Sequence, residues 1–150
     1  MIVTPHNLWQ TVCGTLEVID AVSAQIGAKR VGIRFTPYGQ LFDMPAYAGT
    51  ERTYLELGRE LAKRQIAYIH LMDQSGFLLR VPAENTHFKR TLEKLRQVFD
   101  TGALILAGAQ TLDSANQLLE AGLVDLVGGR TSVYCQPGSG RSLSERLATR

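Results

Sequence analysis

Four short apolar runs, VGIRFTP (31–37), IAYIHLMD (66–73), ALILAG (103–108) and VDLVGG (124–129), recur along the chain, each preceded by an amphipathic stretch. Runs that are apolar on both faces and separated by helical stretches belong to parallel β/α units, because a parallel sheet is covered by its own crossovers. The expected fold class is therefore α/β, built from parallel β/α units. TLEVIDAVSAQIG is read as the first helix, with Leu16, Ile19, Val22 and Ile26 at helical spacing and Gly27 at its stop. ERTYLELGRELAKR carries Tyr54, Leu57 and Leu61 on one stripe, and HFKRTLEKLRQVF carries Phe88, Leu92, Leu95 and Phe99. Thr111 is placed to cap LDSANQLLEAG, which Gly122 closes. Such alternations form either a small doubly wound sheet or part of a (β/α)8 barrel, and the pattern leaves both open. A full barrel needs about 250 residues, more than the 150 of this chain.

Composition narrows the function classes. At 45% hydrophobic and 20% charged residues the chain has the makeup of a globular protein, and 1–150 is read as a single domain with a divergent start (1–14) and a polar tail (138–150). The net charge of +2 comes from scattered basic residues, so no nucleic-acid partner is expected. Cys13 and Cys135 are too few and too far apart for a disulfide framework or a paired-cysteine metal site. No run reaches the roughly 20 apolar residues of a membrane span, and MIVTPHNLWQ has neither the basic start nor the apolar core of a signal peptide. A cytoplasmic setting is expected.

Candidate site residues cluster at strand ends. In VGIRFTP the alternation puts Gly32, Arg34 and Thr36 on one face, and a permanently charged Arg34 turned inward needs an anion or several acceptors. Strand arginines also lie at surfaces or pair with a carboxylate. ALILAGAQT and VDLVGGRTS each finish a strand on glycine, where main-chain N–H groups can approach a phosphate, and Arg130 directly follows Gly129. Glycine is equally the common residue of turns. His70 ends the apolar IAYIHL run as a packed histidine or a site residue. Asp43 and Asp73 follow strands, His6 and His87 are read as surface residues, and Cys135 is read as a bystander in a loop after the last strand. No nucleophile elbow, Walker loop or zinc pattern occurs.

VGIRFTPYGQLFDMP, LAKRQIAYIHLMDQSGF, ALILAGAQT and GLVDLVGGR, taken in order, resemble the C-terminal half of the old yellow enzyme family, in particular its bacterial alkene reductases of the N-ethylmaleimide reductase type. The resemblance runs over about residues 15 to 137. It implies strands five to eight of an FMN-containing TIM (β/α)8 barrel. By the same resemblance Arg34 lies beside the N1–C2 carbonyl side of the isoalloxazine, Gly108 and Ala109 belong to the phosphate loop after strand seven, and Gly129 and Arg130 hold the phosphate after strand eight. The family takes hydride from NADPH or NADH onto FMN and delivers it to an electron-poor alkene such as an α,β-unsaturated carbonyl. Its substrate-binding His/Asn or His/His pair and proton-donating tyrosine belong to the N-terminal half, which these motifs do not cover, so no catalytic residue is assigned. The expected reading is a truncated FMN oxidoreductase that self-associates or pairs with a complementary half-barrel. An inactive remnant, or a small β/α module for a phosphate ligand, is the alternative. Departures support that alternative: Gly128 stands where the family has an aromatic residue, TSVYCQPG replaces an Asn-Pro-Asp turn with one residue more, and NLWQTVCG does not match the usual approach to the first helix.

Overall fold

The computed structural model describes residues 8–38, 48–74, 86–108, 110–128 and 133–135, with the backbone alone for 8–11, 86 and 133–135. Helix α1 (Leu8–Ile26) leads through a 3-10 turn (Ala28–Arg30) into strand β1 (Gly32–Phe35). Then follow α2 (Thr50–Arg64), β2 (Tyr68–Asp73), α3 (Thr86–Val98), β3 (Ala103–Gly108), α4 (Leu112–Glu120), β4 (Leu126–Gly128) and β5 (Val133–Cys135). The sheet order is β1-β2-β3-β4-β5, and the first four strands pair in parallel. A doubly wound sheet reverses its order at a switch point. Here each strand neighbours the next. Right-handed crossovers then put every connecting helix on one face, which is the winding of a (β/α)8 barrel.

The core lies between that face and the helices. Ile69, Leu71, Leu104, Leu106 and Val127 alternate along the strands and are buried against Leu57, Leu61, Leu92, Leu95 and Leu119. Local chemistry fixes the ends of the elements. Thr111 caps α4 in a capping box: its hydroxyl accepts from the Ser114 amide at 3.2 Å, and the Ser114 hydroxyl accepts from the Thr111 amide at 3.0 Å. Gly122 then turns the chain at φ 66. Asp125 joins three elements, accepting from the Leu104 amide at 2.7 Å and from Arg96 at 2.8 Å, so the C-terminal end of α3 is tied to the start of β3 just ahead of β4.

Two expectations need correction. The helical spacing predicts a buried stripe through Val22 and Ile26, but α1 begins at Leu8 and buries Val12, Leu16 and Ile19, leaving Val18, Val22 and Ile26 exposed. The buried line continues at half-buried Ser23, four residues after Ile19, and Val22 falls to the side of it. The second correction is at the end of the sheet. Cys135 lies in a strand, not a loop: β5 pairs antiparallel with β4 in the register Leu126↔Cys135, Val127↔Tyr134 and Gly128↔Val133. The four parallel strands therefore carry a fifth, antiparallel neighbour on their outer side.

Candidate functional site

Among the described residues no crossover helix lies over the second face of the sheet. Strand register lays its residues in rows. Gly32, Tyr68 and Ala103 form one row; Arg34, His70, Ile105 and Leu126 the next; Met72, Ala107 and Gly128 the last. In the first row the Tyr68 ring lies over Gly32, where a Cβ would come within 2.2 Å of the ring, so only glycine lets the tyrosine close over the strand.

Arg34 is exposed on this face, and among the described residues it has no hydrogen-bond or ion-pair partner. Its register neighbour is His70, which is half-buried and whose Nε2 is sealed from solvent without a partner among the described residues. Burial, and then the Arg34 charge, hold this imidazole below the ordinary histidine value, so near neutrality it is uncharged. The row thus offers one permanent cation beside one neutral ring.

At the C-terminal ends of the strands, where β/α sheets bind ligands, β2 and β3 are held close. Gly108 has φ 133, and a Cβ there would lie 2.1 Å from the Asp73 carbonyl oxygen. Both facts demand glycine. Gln110 donates from its amide to the Gly108 carbonyl at 2.9 Å, while its side-chain oxygen accepts from the Ser114 hydroxyl at 2.9 Å. Gln74 follows directly on β2, and its Oε1 is sealed without a partner among the described residues.

The candidates therefore divide. Arg34 and Gly108 are on the sheet, one on the uncovered face and one at its C-terminal end. Ala109, Gly129 and Arg130 lie outside the described residues, as do Asp43 and His6. Asp73 already has an interaction partner, and His87 is exposed on α3. Gln74 was not singled out from the sequence. The signal for it is the alternation: it stands two positions beyond Met72 and four beyond His70, in phase with the uncovered face. Among the described residues no cluster of histidine, cysteine and carboxylates is arranged for a metal, and no helix is long and apolar enough to cross a membrane.

The singly wound parallel sheet agrees with the fold that the sequence resemblance implies, and comparison with known proteins extends it. Over 112 residues, 75% of its length, the chain is 32% identical to 12-oxophytodienoate reductase 2 of Arabidopsis thaliana, covering 29% of that protein. A morphinone reductase solved in complex with tetrahydroNAD matches 77% of the chain at 32% identity and TM-score 0.62, covering 29% of that structure. Over the matched segment the chain is similar in sequence to these two reductases, in keeping with the old yellow enzyme resemblance. An old yellow enzyme homologue from Zymomonas mobilis, 20% identical, shares the fold over 83% of the chain with TM-score 0.70, covering 34% of that structure. The chain spans about a third of the length of the curated relatives it matches. No family model matches it.

Proposed function

We propose that this chain is the flavin-holding segment of an old yellow enzyme-type oxidoreductase, binding FMN across the C-terminal end of its parallel sheet. The observation that carries the reading is Arg34, an exposed guanidinium without a hydrogen-bond or ion-pair partner among the described residues, in a segment 32% identical to morphinone reductase. The residues present fit such a group: a fixed cation, a strand end at Gly108 that a Cβ would fill, and at the same end of the sheet a sealed polar atom without a partner among the described residues. Bound FMN supplies hydride transfer between NADPH or NADH and an electron-poor alkene.

The chain's own contribution is electrostatic and geometric. With FMN bound, Arg34 would place a positive charge where the reduced isoalloxazine gathers negative charge, and would favour the reduced form. His70, held neutral, adds no second charge to that row. Gly108 holds the β3 end against β2, so the strand end meets a ligand without side-chain obstruction. Gly129 and Arg130 are assigned to the phosphate. The substrate carbonyl and the proton delivered to the alkene need groups from outside the matched segment.

Visible absorption and quenching of FMN fluorescence on titration test the reading. Binding in the micromolar range is expected, with Arg34→Ala weakening it about tenfold or more, the scale of one charged hydrogen bond. A wild-type protein that leaves FMN fluorescence unchanged refutes it.

A second reading, a β/α module that binds a phosphate ligand without redox turnover, draws on β5. In a closed barrel every strand has two neighbours, whereas here the outer side of β4 is taken by an antiparallel strand. Reduction of the bound FMN by NADPH, a half-reaction that needs neither the substrate-binding pair nor the proton donor, favours the first reading. FMN binding with no reduction of the flavin by NADPH favours the second.

A further inference from the structure

We propose that Gln74 is a ligand-binding residue, its Oε1 accepting a hydrogen bond from an O–H or N–H of the bound flavin; the inference rests on the FMN reading above. Its basis is the accounting of buried polar atoms. Oε1 of Gln74 is closed to solvent and has no donor among the described residues. A sealed acceptor without a donor destabilises a fold by the desolvation of that atom, and such atoms in folded proteins are few. An amide at a functional strand end is accounted for when the ligand brings the donor.

Placement supports this. Gln74 is the first residue after β2, at the ligand-binding end of the sheet and in phase with the face that carries Arg34 and His70. The main chain beside it is fixed, because Asp73 is in register with Gly108 and its carbonyl fills the space of the absent Cβ. The amide therefore starts from a rigid position, as a binding group requires. Gln110, the other amide near this end, is already engaged with Ser114.

Chemistry and reach define the partner. A carbonyl oxygen accepts, so its partner is a donor and not an ionised phosphate, which has no proton to give. Gln74 is four residues beyond the Arg34–His70 row, or about 13 Å of extended chain. One ligand serving both is long and carries donors away from its anionic edge. A flavin nucleotide has them in the hydroxyls of its ribityl chain, and it carries one further donor, the ring imide N–H, beside the C2 carbonyl. Inorganic phosphate has neither the length nor the donors.

The test replaces the amide with Gln74→Leu and, keeping the chain length, Gln74→Met, and measures two properties. The first is the melting temperature of the flavin-free protein. Without an internal donor the apolar variants are as stable as wild type or more so, by about 2–4 °C. A drop of several degrees in both would show that Gln74 has a structural partner, and the inference falls. The second is affinity by fluorescence quenching for FMN and for lumiflavin, which keeps the ring N–H and lacks the hydroxyl chain. A five- to tenfold weakening, the scale of about one hydrogen bond, supports the assignment. If FMN alone is weakened the donor is a chain hydroxyl, and if both are weakened it is the ring N–H. Unchanged affinity for both, with wild type binding FMN normally, overturns the role of Gln74 and leaves the FMN reading intact. Absence of FMN binding by wild type overturns both.

Discussion

His70 is neutral in the folded sheet because burial and the neighbouring Arg34 guanidinium both oppose its proton. In the unfolded chain a histidine titrates near 6.5, so between that value and its lower folded one the unfolded state holds more protons. Stability therefore rises with pH through this window, is complete above it, and is lost as pH falls towards the folded value. Replacing Arg34 with Gln should move the His70 imidazole resonance, followed by NMR against pH, back towards the ordinary value. His70→Gln should flatten the dependence of melting temperature between about pH 7 and 5. Gly108→Ala should destabilise by about 1–3 kcal/mol in urea unfolding, since a side chain meets both a positive φ and the Asp73 carbonyl. At this scale the sequence was legible where a residue type is rare for its place: Arg34 inside an apolar strand drew attention by itself. Gln74 did not, because a polar residue just after a strand is ordinary and nothing in a string of letters shows that its oxygen is sealed.

Helix α1 shows what periodicity can and cannot fix. Val12, Leu16, Ile19 and Val18, Val22, Ile26 are both helical stripes, offset around the same cylinder, and only packing decides which faces in. Ile19→Ala is expected to cost about 2–4 kcal/mol, and Val22→Gln less than about 0.5 kcal/mol, as measured by chemical unfolding. Equal losses would contradict the orientation of α1. The parallel strands were legible because each is a continuous apolar run behind a helix, and β3 spans Ala103–Gly108 as its letters suggest. Strand β5 was not. It follows no helix, it has three residues, and its neighbours in sequence include Gly129 and Pro137, which read as turn. Its pairing depends on an edge that β4 presents only once the sheet exists.

A sheet wound in one direction buries one face against its helices and leaves the other to whatever binds there. In this molecule the uncovered face carries Met72, Ile105 and Leu126, none fully buried, beside Arg34 and His70. Closing eight strands into a barrel shields such a face in its interior; here the antiparallel β5 occupies the side of β4 on which a further parallel strand would continue the winding. On the proposed reading this face is where a ligand would add stability. FMN that binds the folded sheet and not the unfolded chain stabilises it by RT ln(1 + [L]/Kd), about 2.7 kcal/mol at a hundredfold excess over Kd. For a domain of this size that is a rise of about 5–10 °C in melting temperature. Riboflavin, which lacks the phosphate, should raise it less at the same concentration, and Arg34→Ala should reduce the rise for both. Equal shifts for FMN and riboflavin would remove the phosphate from the site and with it the role given to Gly129 and Arg130. No shift for either, at concentrations that saturate flavoproteins, would mean that the uncovered face is made for something other than a flavin.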